Sequence, residues 1–315
     1  MIRPEDVPGL ELIENGTLVV RPAFAATLFT SESFYAAAGP VLDCYDMFLK
    51  LCPPERLKQY LTETMDQHQR TSARTFTMLR TWLKPGAPRR EQIFLELTSA
   101  ENREEAPNFR LELSSNERGS VGFSSGYANS LHIVLPAAWG NVHADKMRDM
   151  VMHLAGLFPY SFGYAGYALE WSAYFQEEAC SHAYAKGMRH VGFDIYHNGN
   201  DEKIVGHDSL NTVGWLTLIG PAMVQRLGGI DKIRAALPEA IGMSSAGAGL
   251  MLSTADAPEI GDTNRRDRLP AYRAVYSLLE PIAQAGFERS GALEFLPGDV
   301  EQNTLRWLRR LRSSG

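Results

Sequence analysis

The segments 93-IFLEL-97, 109-FRLEL-113 and 131-LHIVL-135 decide the fold. In each, an aliphatic residue returns at every second position: Ile93, Leu95 and Leu97; Phe109, Leu111 and Leu113; Leu131, Ile133 and Leu135. A period of two belongs to a strand, whose successive side chains point to opposite faces. The connections are polar and contain Gly or Ser, and residues 99–108 form an acidic loop with Glu101, Glu104 and Glu105. Together these features predict an antiparallel meander with one buried face.

Upstream, residues 17–30 are rich in β-branched and aromatic side chains and predict another strand. Ser31 is placed to cap a helix carrying Phe34, Ala38, Val41, Leu42, Tyr45 and Phe48, bent at Pro40 and ended by Pro53 and Pro54. A more polar helix is expected over 55–69. Downstream, Met147, Met150, Val151, Leu154, Leu157 and Phe158 follow helical spacing up to Pro159. A glycine-punctuated strand is expected over 161–171. After it comes a helix whose apolar side holds Trp171, Tyr174, Phe175 and His182.

The remainder predicts a strand over 215–219, then a helix over 229–241 with Ile230, Ile233, Leu237 and Ile241 inward, and a strand over 249–253. A helix capped by Asp267 follows, with Pro270 in its first turn. The chain closes on 300–312, with Leu305, Leu308 and Leu311 inward and the arginines outward. Runs of strands before helices favour an α+β fold with antiparallel or mixed sheets flanked by helices. A loose recurrence of this order suggests two intimately packed α+β lobes, 1–160 and 161–315, or one continuous domain.

Composition bounds the function. With 44% hydrophobic and 22% charged residues over 315 positions, the chain can bury a core without staples. Cys44, Cys52 and Cys180 are odd in number and form no C-x-x-C, which fits a reducing compartment. The first residues lack a basic then apolar leader, and no apolar run is long enough to span a bilayer, so a cytoplasmic location is expected. A net charge of −6 disfavours general nucleic-acid binding and suits a basic protein partner.

Catalytic motifs are not found. His190, Asp194, His197, His207 and Asp208 offer imidazole and carboxylate ligands, yet their spacing matches no H-E-x-x-H or 2-His-1-carboxylate pattern. Ser124, Ser125 and Gly126 are not a G-x-S-x-G elbow. Cys180 and His182, two apart on a helix, point to different faces. The glycines of 244–249 lack phosphate-loop spacing. No catalytic residue, metal or cofactor is assigned on these grounds.

Two segments carry a resemblance: 209-SLNTVGWLTLIGPAMVQRLGG-229 and 249-GLMLSTADAPEIGDTNRRDRLPAYRAVYSLLEPI-282. The Trp-Leu-Thr-x-x-Gly-Pro core, the following Gly-Gly, and the Gly-Asp-x-Asn-Arg run before Leu-Pro-Ala-Tyr-Arg resemble the type VI secretion immunity family directed against restriction-endonuclease-like nuclease effectors. Departures are Gly214, where the family often has Asn, and Thr263, where it often has Val. The resemblance implies a non-enzymatic inhibitor whose partner is a DNase-type toxin, held in the cytosol without direct nucleic-acid or membrane contact. Acidic and aromatic loop residues then become effector-contact candidates: Tyr196, Asp201, Glu202, Asp208, Asp256, Glu259 and Asp262. Asp262 and Asn264 also suit turn and cap formation. The rival readings are a metal-dependent hydrolase around His190, His197 and His207, and a non-catalytic scaffold subunit.

Overall fold

The computed structural model describes residues 2–172, 174–196, 200–287 and 298–312. Its strands are β1 (Leu12–Glu14), β2 (Thr17–Thr30), β3 (Gln59–Thr62), β4 (Gln69–Arg70), β5 (Gln92–Thr98), β6 (Arg110–Asn116), β7 (Asn129–Pro136), β8 (Phe162–Trp171), β9 (Leu216–Ile219), β10 (Gly242–Ala246) and β11 (Gly249–Ser253). The described helices are α1 (Ala38–Leu51), α2 (Met78–Trp82), α3 (Val121–Ser124), α4 (Ala137–Val142), α5 (Ala144–Leu157), α6 (Gln176–Arg189), α7 (Asn200–Val205), α8 (Pro221–Arg226), α9 (Ile230–Ala236), α10 (Pro270–Phe287) and α11 (Val300–Leu308). All strands join one sheet in the order β10-β11-β9-β8-β2-β7-β6-β5-β3-β4, with β1 paired to β2. Every ladder between them is antiparallel. The fold is α+β, and β2 at its centre lies between β7 and β8.

Alternation sorts the two faces of this sheet. Read across the strands, Leu97, Leu111, Ile133, Ala26, Ala165 and Leu216 stand directly opposite one another as an apolar row. On this face α4 approaches so closely that a Cβ on Gly140 would come within 3.0 Å of Phe24 and Tyr167, so only glycine fits. One position along each strand, the adjoining row turns to the other face: Glu96, Glu112, His132, Thr27, Tyr164 and Thr217.

This second face is where the expectation of a single buried face fails. Glu112 is 0% and His132 1% exposed, because Tyr196 stacks on His132 and reaches Glu112, with Glu202 of α7 beside it. Small side chains at Ala23, Ala25, Val134 and Ala168 form a separate cluster on this face. Along the edge of β8 that β9 leaves free, the backbone of Asp194 bridges in parallel to Ala168, donating to Tyr167 O at 2.9 Å and accepting from Leu169 N at 2.9 Å. Alternation records which residues are polar, and only the long-range cover decides whether they see water.

Other expectations also needed correction. Residues 55–69 are not a helix: a 3-10 turn at Pro54–Arg56 leads into β3, whose neighbour is β5. Helix α1 begins at Ala38, so Pro40 sits in its first turn, where a missing N–H costs nothing. Ile230 opens α9 but is 44% exposed. Asp267 does not cap α10; its backbone exchanges two hydrogen bonds with Asp262. Arg310 points inward, against the outward reading of the C-terminal arginines. Among the described residues no helix is long and apolar enough to cross a membrane.

Candidate functional site

The densest polar chemistry lies on the second face of the sheet. From β6, Arg110 donates to Glu170 Oε1 at 2.5 Å and Glu112 Oε2 at 2.9 Å. From β7, His132 pairs its Nδ1 with Thr27 Oγ1 at 2.8 Å, and its ring stacks on Tyr196 with centroids 4.0 Å apart. The Tyr196 hydroxyl lies 2.9 Å from Glu112 Oε1 and 2.6 Å from Glu202 Oε1, and Ser130 Oγ donates to the same Glu202 oxygen at 2.6 Å.

A second cluster adjoins it. Asn211 Nδ2 donates to Asp201 Oδ1 at 2.8 Å. Arg310 donates to Thr212 Oγ1 at 2.9 Å and Phe193 O at 3.1 Å, faces Asp194 at 3.7 Å, and lies over the Trp307 ring.

Proton bookkeeping constrains the first cluster. One phenolic hydrogen cannot serve two ionised carboxylates at once, so a proton on one of them lets Tyr196 donate to one and accept from the other. Burial pushes the Glu112 carboxyl up to about 8 against the pull of Arg110, and the neighbouring charges of Glu96 and Glu202 add to the rise. Burial also works against the Arg110 charge, but Glu170, Glu112 and Glu96 together hold its proton well above the ordinary value. Burial, with Arg110 adding to it, lowers His132 and keeps it neutral. Such a network fixes the cover segment onto the sheet and holds its polar groups away from solvent.

The candidates for effector contact therefore divide. Tyr196 and Glu202 are buried in the first cluster and Asp201 in the second, and none of the three presents surface in this conformation. Asp262 is buried as well. It accepts from Arg189 Nε at 3.0 Å and Nη2 at 2.8 Å and from Asn264 N at 3.0 Å, confirming it as a cap and turn former. The hydrogen bonds from Arg189 hold the Asp262 carboxyl at about 2. Asp208 and Asp256 are exposed in separate loops and Glu259 is half-buried. Around them, Arg226 reaches the Asp208 carbonyl and Arg148 the Asp256 carbonyl.

Two of the three imidazoles of the metal reading lie in the described residues, in different settings. His190 is buried with Nδ1 2.6 Å from Gly261 O, His207 is exposed in the turn after α7, and His197 lies outside the described residues. Among the described residues no three of His, Cys, Asp and Glu converge on a metal-sized site. All three cysteines are buried and form no disulfide, and burial raises each thiol to about 12.

Sequence reasoning missed the exposed apolar residues. Val121 and Phe123 are 80% and 46% exposed on α3, which Ser120 caps through Phe123 N. Their only local signal was Val and Phe in a Gly- and Ser-rich connection, a pattern that otherwise reads as a plain loop.

A family model described as type VI immunity for VRR-NUC matches residues 40–311. A solved structure described as Pseudomonas aeruginosa T6SS protein PA0821 superposes with a TM-score of 0.79 at 20% identity, covering 97% of this chain and 88% of that one. At that identity the likeness concerns the fold. No curated protein matches the chain.

Proposed function

Since the chain belongs to the family of type VI immunity proteins for VRR-NUC, we propose that it neutralises a cognate VRR-NUC nuclease effector. It does so in the cytoplasm through a stoichiometric complex and turns over no substrate. The observation that carries this reading is the family match across 40–311, which takes in every described strand except β1 and the central β2. The net charge of −6 supports it, because an acidic body attracts a DNA-cutting partner that must itself be basic where it holds phosphates. Contact falls to exposed groups: Asp208, Asp256 and the half-buried Glu259 supply charge, and Val121 and Phe123 supply apolar anchors of the kind that dominate interface energies.

The test is to express a VRR-NUC effector domain with a tagged copy of this chain, recover the complex and measure cleavage of linear DNA. Suppression of cleavage at equimolar chain is the expected result. Undiminished cleavage in excess chain, without co-purification, rejects the proposal. Charge reversal at Asp208 and Asp256 should each weaken binding about tenfold while thermal stability stays unchanged.

A further inference from the structure

The two ends of the sheet are finished differently. One edge is β4, two residues long and carrying Arg70 in an ion pair with Glu101, so it offers little backbone to a stray strand and guards it with charge. The other edge, β10, has the sequence Gly-Met-Ser-Ser-Ala over 242–246 and contains no charged residue and no proline. Its five-residue register with β11 is unbroken by any bulge. Gly242, Ser244 and Ser245 are exposed and Met243 is half-buried. Among the described residues no other strand or backbone pairs with its outer side.

The hairpin fixes which groups face outward. Its loop is the pair 247–248, opened by Gly247 at a φ of +52°, and Ala246 opposite Gly249 closes it. In a two-residue hairpin the closing pair is hydrogen-bonded, and bonded and non-bonded pairs then alternate. Met243 and Ser245 consequently turn their N–H and C=O groups away from β11.

We infer that β10 is a self-pairing edge, on which a second copy of this chain docks its own β10 antiparallel about a two-fold axis at Ser244. Met243 of each copy then faces Ser245 of the other through about four backbone hydrogen bonds, and Ser244 faces itself. Charge selects this occupant. Two copies each carrying −6 repel, so an interface between them is favoured where its own side chains are uncharged, as along β10. A basic partner, conversely, finds no acidic group on this strand. Five paired residues bury less than an interface of standard size, so the dimer is weak, with a dissociation constant on the order of 10 µM or above.

Sedimentation velocity on the full chain, from about 1 µM to about 200 µM, tests this. The wild-type average mass should climb from 35.0 kDa toward twice that value. Ser244→Glu sets two carboxylates face to face across the axis, and Ser245→Pro removes an outward amide without touching the β11 ladder. Each should shift the association at least tenfold to higher concentration while circular dichroism and Tm stay as in wild type. Loss of association in either folded variant supports the assignment. A wild-type mass that stays flat over the range, or folded variants that associate as wild type does, overturns it. If the wild type is monomeric and Ser244→Glu instead weakens effector binding, β10 belongs to the effector and self-pairing is wrong.

Discussion

At the residue scale, the shared proton of Glu112 is the most consequential feature. Its carboxyl is raised to about 8, with Arg110, Glu96, Glu170, Tyr196, Glu202 and His132 around it. In the unfolded chain it would titrate near 4.3. Between these values the native state binds the extra proton, so its stabilising effect is complete at low pH and is lost as pH rises through about 8. Stability should fall by roughly 2–3 kcal/mol from pH 6 to pH 9 through this group, a drop of roughly 5 °C in Tm. Glu112→Gln should flatten that slope, and thermal melts at both pH values will show whether it does. Asp262 has the opposite sign: its contribution is present above about pH 4 and lost as pH falls through about 2. Asp262→Ala should cost about 1–2 kcal/mol in urea denaturation by removing the cap on Asn264 and the Arg189 pair. The cap was legible in Gly-Asp-x-Asn because turn chemistry is local. The burial of Tyr196 and Glu202 was not, because an acidic, aromatic stretch reads as surface until a histidine far away in sequence stacks on it.

At the element scale, legibility followed periodicity. Strands β2 and β5 to β9, with β11, emerge from alternation or β-rich composition, and α5 from its apolar spacing, because each pattern records a local geometry. Strand β10 has no β-branched or aromatic residue and exists because β11 pairs with it. Strand β3 was hidden for the same reason, in a polar segment whose extended form is set by β5. The C-terminal helix was visible, but its anchor was not: an arginine among arginines looks solvated, whereas Arg310 sits against Asp194 and the Thr212 hydroxyl. Removing one member of such a pair strands the other in the interior. Arg310→Ala should therefore cost about 3 kcal/mol or more, and the double variant Arg310→Met with Asp194→Asn should cost clearly less than the sum of the singles. Additive losses in a denaturation cycle would show that the two residues act independently.

At the scale of the whole molecule, the sheet joins what the sequence order suggested as two lobes. Strand β2 pairs over ten residues with β8, from Val20 opposite Trp171 to Phe29 opposite Phe162, and over eight with β7 on its other side. A cut at 160 leaves β2 with one bare edge and a row of unpaired backbone groups, and strips the cover from Glu112 and His132. In the complementary piece β8 loses its central partner and Tyr196 loses the ring it stacks on. Each half would expose both apolar side chains and buried charge, costs that add rather than compensate. Fragments 1–160 and 161–315 expressed separately should therefore lack native near-ultraviolet dichroism and resist no protease. The intact chain should unfold in one transition seen alike by tryptophan fluorescence and far-ultraviolet dichroism. Two separated transitions, or one folded fragment, would mean that the lobes are independent units that share a sheet without depending on it.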